Sequence, residues 1–232
     1  MILGHNFASD NDEMPVRRLR DALTRMAGSD IGCCVLPIRS GYPAPLEEGR
    51  IVVNAIESRK DEFATGRACA RMALAEVGCS PSPILRGQFG EPLWPRGFAG
   101  SIAHDRFFAA AIAYRTGWSE HLGIDLLERS DLPILIETVS TFLTSAETGR
   151  TAAGDPWCLA RIFSAKEAAI KVISPRKRMF IDFQKIETTP AGDDLAISMP
   201  DCRPIIVRST LCESTLVTLA IEQLRHRPPE LL

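Results

Sequence analysis

The chain has 232 residues, 45% of them hydrophobic and 24% charged, which are ordinary proportions for a globular protein with a substantial core. Its formal net charge of −2 gives no general basic field, so the composition does not indicate a nucleic-acid-binding protein. Seven cysteines without a C-x-x-C pair and four scattered histidines argue against a zinc site and favour reduced thiols in a cytoplasmic protein. The sequence shows no signal-peptide pattern and no run of about 18 apolar residues that would predict a membrane span.

In the first half of the chain, the sequence predicts helices that alternate with buried strands. The predicted helices are 12–27, 46–56 and 58–77, and the first and last of them end before a glycine. The predicted strands are the apolar runs 31–38 and 107–114. Residues 80–100 are too rich in Pro and Gly for a long element and predict a loop with short extended pieces. We place the boundary between two halves of the chain at residues 116 and 117, giving an N-terminal half of 1–116 and a C-terminal half of 117–232.

The second half predicts a strand, a group of helices and then a mainly antiparallel sheet. The strand is 121–127, and two helices follow at 133–141 and 145–150. After one longer helix the pattern turns to strands, which are 180–187, 195–199, 205–209 and 214–222. The tail, residues 225–232, is expected to fray. The order of elements predicts an α+β protein.

The longer helix, residues 155–173, carries the most informative pattern. Asp155 is a good N-cap, Pro156 suits the first turn, and Pro175 is expected to end the helix. Glu167 and Lys171 are four residues apart and therefore lie on one side, where a surface ion pair is the simplest interpretation. The alternative is a site for a metal-bound phosphate, formed by these two residues with Lys166.

Other polar residues stand where chemistry is possible. Asp125 interrupts an apolar strand, and a half-buried carboxylate needs a partner or a cation. Glu128 reaches the same metal only if the strand ends or bulges there. Ser101 and His104 end a glycine-rich loop, where side chains can meet a ligand. Arginines recur along one side of the helix 58–77, either as a solvated row or as an anion-binding row; they are Arg59, Arg67 and Arg71.

Taken together, these motifs resemble the 4′-phosphopantetheinyl transferases, in the larger type that serves siderophore and nonribosomal peptide synthetases. Those proteins carry a G-[IV]-D-x-E element followed by [WF]-S-x-K-E-x-x-x-K. The matching elements here are Gly66-Arg67, Pro92-Leu93-Trp94-Pro95, Ser101-x-x-His104, Gly123-Ile124-Asp125 and Phe163-Ser164-x-Lys166-Glu167-x-x-x-Lys171. The resemblance covers roughly residues 45–187.

The resemblance implies a Mg²⁺-dependent transfer of the phosphopantetheine arm of coenzyme A to a serine of an apo carrier protein, with release of 3′,5′-ADP. It implies a two-lobed pseudo-dimeric fold, active as a monomer, with coenzyme A in the cleft between the halves. The implied metal ligands are Asp125 and Glu167, and Glu167 also takes the serine proton. Lys166 and Lys171 would face the phosphates, and the implied coenzyme A contacts in the first half are Arg59, Arg67, Ser101 and His104.

One departure from the family pattern concerns the metal. Leu127 stands where the family carries its second acid, and Glu128 is displaced by one position. Either a bulge brings Glu128 in as a third ligand or water fills that place, and water is slightly favoured. Two other functions are kept open at this point: a metal-dependent phosphoester or pyrophosphate hydrolase, and a catalytically weak module that binds coenzyme A or a carrier protein.

Overall fold

The computed structural model describes residues 10–117, 120–151 and 155–223, so the tail at 225–232 lies outside the described residues. The helices are α1 (Asp10–Ala27), α2 (Leu46–Gly49), α3 (Glu57–Glu76), α4 (Leu132–Glu137), α5 (Val139–Phe142), α6 (Ser145–Thr148) and α7 (Pro156–Lys177). The strands are β1 (Gly32–Pro37), β2 (Leu85–Arg86), β3 (Pro92–Leu93), β4 (Phe98–His104), β5 (Phe108–Arg115), β6 (Glu120–Glu128), β7 (Glu187–Ala191), β8 (Asp194–Ser198), β9 (Ile205–Cys212) and β10 (Thr215–Gln223).

The first sheet is antiparallel, has the order β1-β5-β4, and packs against α3. Its central strand contains five consecutive buried residues from Ala109 to Ala113, four of them alanines. Such small side chains let the helix approach closely. Gly32 shows how closely, because a Cβ there would lie 2.0 Å from the carbonyl oxygen of Ala73 on α3. A short hairpin formed by β2 and β3 lies outside this sheet.

The second sheet is antiparallel and has the order β6-β10-β9-β8-β7. Helix α7 lies across it and makes its closest approach at β6 and β10. Gly123 permits this approach, since a Cβ at that position would lie 2.1 Å from the carbonyl oxygen of Ala168. The strand that carries Asp125 is therefore held directly against the helix that carries Glu167.

The two sheets meet along β4 and β6, and one hydrophobic core spans both of them together with α1. Polar bonds cross this junction, and backbone amides of β6 make two of them. The amide of Ile124 donates to Oγ of Ser101 at 3.1 Å, and the amide of Leu122 donates to the hydroxyl of Tyr114 at 3.1 Å. These bonds fix the two facing strands at the junction where the sequence places the ligand cleft.

The α+β class is confirmed, and the differences from the sequence predictions have local causes. Helix α7 passes through Pro175, which lies in the last turn and costs only one helix bond there. The stretch 180–187 was wrongly predicted as a strand: Asp182 caps a 3₁₀ turn by accepting the amide of Gln184 at 3.0 Å.

Two further predictions on secondary structure were wrong. The helix predicted at 46–56 is α2 followed by a 3₁₀ turn at Arg50–Val52. Ser101 and His104 lie on strand β4 rather than at the end of a loop. The predicted boundary at 116 and 117 falls between β5 and β6, and the division of the chain into two halves there stays a prediction. None of the described helices is long and apolar enough to cross a membrane.

Candidate active site

Helix α7 begins where the sequence predicts, with Asp155 as its N-cap. Its carboxylate accepts the amide of Trp157 at 2.9 Å. Because successive helix residues point about 100° apart, neighbouring residues of this helix face different surroundings. Glu167 and Lys171 both line a cavity at the junction of the sheets, whereas Lys166, next to Glu167, points into the protein.

Asp125 lies at the centre of the site and is bound on both carboxylate oxygens. Oδ2 lies 2.8 Å from the hydroxyl of Ser164, and Oδ1 accepts the ammonium of Lys171 at 2.9 Å. Lys171 also donates to the carbonyl oxygen of Ile124 at 2.9 Å. Only 7% of Asp125 is exposed, so these contacts satisfy the requirement that a buried charge be paired.

Glu167 lies beside this pair, in the same cavity. Among the described residues, none makes a hydrogen bond or an ion pair with its carboxylate. Burial raises the pKa of Glu167; the charge of Lys171 lowers it in part, and that of Asp125 raises it further. A half-buried carboxylate that lacks a partner and has a raised pKa is suited to receive a proton or a cation.

The cavity that holds these residues measures about 470 Å³ and includes His104 from the first half. Asp125 and Glu167 supply hard oxygen donors, which are the ligands that Mg²⁺ prefers. The donor set therefore fits the implied metal. Within the described ranges, no group of three His, Cys, Asp or Glu side chains is arranged to hold a metal ion, so the fit rests on two carboxylates.

Glu128 does not join this pair. Its Oε2 accepts the amide of Ser130 at 2.6 Å and so caps the 3₁₀ turn that follows β6. Burial raises the pKa of Glu128, but the hydrogen bonds from Ser130, Ser214 and Arg129 together outweigh burial and lower it. Leu127 packs into the core with Leu132 and Phe142. The strand thus ends without the bulge that would turn Glu128 inward, and the prediction of Glu128 as a metal ligand is not supported by this geometry.

Asp131 is an acid that the sequence analysis missed. It lines the same cavity as Asp125 and Glu167. Burial raises the pKa of Asp131, and the charges of Glu128 and Asp125 contribute to the rise. A signal was available, because Asp131 follows closely after the end of the strand that carries Asp125.

Lys166 was predicted to face the phosphates, and the structure contradicts this. Its side chain is 0% exposed, and its ammonium donates to Oε2 of Glu147 at 2.7 Å. It also donates to the carbonyl oxygens of Phe142 at 2.6 Å and Phe183 at 3.1 Å. All three donor hydrogens of the ammonium are thereby used inside the second half. Lys166 is a structural residue that ties α7 to α5, α6 and the loop after α7.

His104 and Arg59 form a second polar group, across the cavity from the carboxylates. The guanidinium of Arg59 lies 2.9 Å from Nε2 of His104 and 2.8 Å from Oε2 of Glu62. Because a guanidinium only donates, Nε2 must accept, which makes the ring neutral. Burial lowers the pKa of His104, and the nearby charge of Arg59 lowers it further while that of Glu62 opposes the shift.

Arg67 is 6% exposed and packs with its guanidinium 4.6 Å from the ring centre of Phe63. Burial lowers the pKa of Arg67 to about 10, and Nε has no hydrogen-bond partner in the described part of the chain. Such a buried cation with a free donor is suited to an anion. Neither Arg59 nor Arg67 lines the cavity wall itself, although Arg59 touches His104, which does.

A second cavity of about 390 Å³ continues from the first. Ile102 and Lys171 line both, so the two form one elongated cleft along β4 and β6. Trp94, Ser101, His121 and Arg176 are among the residues of its wall. A ligand in this cleft would run past Lys171 to reach Glu167.

Comparison with known proteins assigns this arrangement to a family. The model of the 4′-phosphopantetheinyl transferase N-terminal domain matches residues 47–114, and that of the 4′-phosphopantetheinyl transferase superfamily matches residues 121–199. The 4′-phosphopantetheinyl transferase PptT of Mycobacterium tuberculosis is 33% identical over 179 residues, which are 76% of this chain and 78% of the relative. The chain belongs to the 4′-phosphopantetheinyl transferase superfamily.

Further relatives agree with this assignment. The 4′-phosphopantetheinyl transferase Npt of Nocardia iowensis is 32% identical over 64% of this chain and 68% of its own length. Enterobactin synthase component D of Escherichia coli is 34% identical over 57% of this chain and 64% of its own length. These relatives support the transferase over the hydrolase and over the binding module. This phosphopantetheinyl transferase is accordingly an enzyme of the larger type that moves the phosphopantetheine arm of coenzyme A to a carrier protein.

Proposed function

We propose that this phosphopantetheinyl transferase serves peptidyl or aryl carrier proteins of siderophore or nonribosomal peptide synthesis, as a Mg²⁺-dependent monomer in the cytoplasm. The similarity to an enterobactin synthase component supports the pathway. The observation that carries the chemistry is the carboxylate of Glu167, which has no partner in the part of the chain that the structure describes and shares a cavity with Asp125 and Lys171. The metal would be held by Asp125 and Glu167 and would neutralise charge on the pyrophosphate.

The chain's own residues can perform the proton and charge chemistry of the transfer. Glu167 accepts the proton of the incoming serine hydroxyl, directly or through a water, which its raised pKa favours. The serine oxygen forms a bond to the phosphorus that carries the pantetheine arm, and the bond from that phosphorus to 3′,5′-ADP breaks. Lys171, whose side chain lines both cavities, stabilises the negative charge that develops on the phosphoryl oxygens.

We assign the nucleotide end of coenzyme A to residues of the first half. His104 and Arg59 are in contact with each other and would bind the 3′-phosphate: the guanidinium of Arg59 would donate to it, and Nε2 of His104 would donate as well once the ring takes up a proton. The buried Arg67 would add positive charge from α3. Ser101 lines the cleft, and its oxygen accepts the amide of Ile124, so its hydrogen and one lone pair are left for a ligand.

The test is a transfer assay with coenzyme A, Mg²⁺ and several apo carrier proteins, read by mass spectrometry. The expected result is the mass increase of one phosphopantetheine arm on the acceptor serine. Glu167→Gln should reduce turnover by about 10²-fold or more, whereas Glu47→Gln, an exposed acid in the first turn of α2, should leave it unchanged. If Glu167→Gln keeps the turnover of the wild type, Glu167 has no part in the mechanism. If the wild type transfers the arm to none of the carrier proteins, the proposal is refuted.

A further inference from the structure

Asp105 directly follows His104 and makes a set of bonds that the proposed chemistry does not use. Its Oδ1 accepts the amides of Phe107 and Phe108, both at 2.7 Å. Its Oδ2 accepts the hydroxyl of Thr215 at 3.0 Å. The residue is 6% exposed, and burial raises the pKa of its carboxyl group while these donors oppose the rise. One side chain thus closes the turn from β4 to β5 and also reaches the other half of the chain.

Thr215 connects this turn to the strand of the carboxylates. It is the first residue of β10 and is 2% exposed. Strand β10 pairs with β6 over its whole length, with Thr215 opposite Glu128 and Thr218 opposite Asp125. The position of Thr215 relative to Asp125 is therefore set by a continuous ladder of backbone hydrogen bonds.

Among the described residues, two side-chain hydrogen bonds tie β4 and the residue after it to the second half, and the bond between Asp105 and Thr215 is one of them. The other joins Ser101 to the amide of Ile124, next to Asp125. His104 lies between these two attachment points. Its Nδ1 lies 3.4 Å from the carbonyl oxygen of Asp105, so the same residue also holds the ring in the tautomer that leaves Nε2 to Arg59.

We infer that Asp105 is a positioning residue that sets the distance across the cleft between the His104–Arg59 pair and the carboxylates Asp125 and Glu167. The inference rests on the proposed function, because it takes that pair to hold the 3′-phosphate. A substrate bound at both ends must fit this distance, and a misplacement of about 1 Å is enough to cost a large factor in rate. A substrate that lacks the 3′-phosphate is bound at one end only and is indifferent to the distance.

The variant Thr215→Val separates this role from folding, because it removes the bond from Asp105 to the second half and leaves both turn bonds of Asp105 in place. The measurement is kcat and KM for coenzyme A and for 3′-dephospho-coenzyme A. We expect the KM for coenzyme A to rise about tenfold, with the KM for the dephospho compound unchanged within about twofold. Thr215→Ser keeps the hydroxyl and should restore the wild-type ratio of the two KM values.

Two controls make the result decisive. Thr210→Val makes the same change on the neighbouring strand β9, at a threonine whose side chain makes no hydrogen bond among the described residues, and it should alter neither KM. Asp105→Ala should shift the ratio of KM values at least as far as Thr215→Val, and adding Thr215→Val to it should cause no further shift.

The outcomes separate this inference from the function on which it rests. The positioning role would be overturned, with the transferase activity intact, if Thr215→Val raised the KM values for coenzyme A and for the dephospho compound by the same factor. The same conclusion would follow if the ratio of the two KM values in Thr215→Val equalled the ratio in Thr210→Val. A wild-type enzyme that transfers the arm without preferring coenzyme A over the dephospho compound would also overturn it. Absence of transfer by the wild type would instead refute the proposed function, and the inference with it.

Discussion

The ammonium of Lys171 lies 2.9 Å from Oδ1 of Asp125, one of the two carboxylates that would hold a divalent cation. Lys171 is thus the positive charge next to Asp125, and it lies between the two cavities of the cleft. A cation that binds Asp125 competes with this ammonium, and an anionic substrate phosphate attracts the ammonium away from it. Metal and coenzyme A should therefore bind more tightly together than separately.

The first prediction follows from this competition. Lys171→Met should bind Mn²⁺ alone more tightly than the wild type, by about tenfold, which corresponds to about 1.4 kcal/mol, although its transfer rate should fall. Free Mn²⁺ can be measured by electron paramagnetic resonance without substrate. Lys177→Met, the same change near the end of α7 where the ammonium binds the carbonyl oxygen of Asp201, should leave the affinity unchanged. An unchanged or weaker affinity in Lys171→Met would contradict the competition.

The second prediction distinguishes the acids at the end of β6. Asp125→Asn should weaken Mn²⁺ binding by about tenfold or more, because it removes one of two charged ligands. Glu128→Gln should leave the Mn²⁺ affinity within about twofold and instead cost about 1 kcal/mol of unfolding free energy, because Glu128 acts as a cap. Equal losses of affinity in the two variants would show that Glu128 turns inward when metal binds.

The third prediction concerns the stability cost of Glu167. Folding raises the pKa of this carboxyl group above its ordinary value of 4.5, so the folded state binds its proton more tightly than the unfolded state does. Stability is then lost as the pH rises from about the unfolded pKa through the folded one. In metal-free protein, Glu167→Gln should raise Tm by about 2–4 °C at pH 7.5, and the gain should shrink towards pH 4.

Thermal melts of both proteins at several pH values measure this effect. Glu47→Gln serves as the exposed control and should show no pH-dependent gain. A lower Tm for Glu167→Gln at pH 7.5 would mean that the ionised carboxylate has a stabilising partner, contrary to the structure.

The fourth prediction tests the structural role of Lys166. Lys166→Met removes one member of the buried pair with Glu147 and leaves the other charge uncompensated, which should cost about 3–5 kcal/mol in urea unfolding. Folded Lys166→Met should keep its KM for coenzyme A, because the ammonium does not reach the cleft. Lys60→Met breaks a more exposed pair with Glu57 and should cost about 0.5 kcal/mol or less. A higher KM for coenzyme A in folded Lys166→Met would show that Lys166 contacts the substrate phosphates.

Much of the site could be predicted from the sequence, because its main members have local signals. Asp125 interrupts an apolar strand, and Glu167 and Lys171 follow a helical spacing on a helix with a clear N-cap. Gly123 is explained by its closeness to α7. The family resemblance then gave these residues their order and their chemistry, and the relatives confirm the family.

The parts that could not be predicted depend on contacts between distant segments. Lys166 has a buried partner, Glu147, that comes from a short helix 19 residues earlier, and the sequence gives no reason to pair them. Asp105 reaches Thr215 across 110 positions. The apolar pattern of 180–187 predicted a strand, but a 3₁₀ turn forms there because the carboxylate of Asp182 accepts the backbone amide of Gln184.

The different surroundings of Lys166 and Glu167 on α7 have a consequence for evolutionary relatives of this protein. A relative that has lost its activity would still need Lys166 to fold, because without that residue the buried charge of Glu147 would have no opposite charge beside it. Glu167, whose raised pKa indicates that its ionised carboxylate destabilises the fold, could be replaced without loss of stability. Of these two neighbouring residues, only Glu167 indicates whether a relative is still active. A relative that has the lysine but lacks the glutamate would be an inactive protein that keeps the fold.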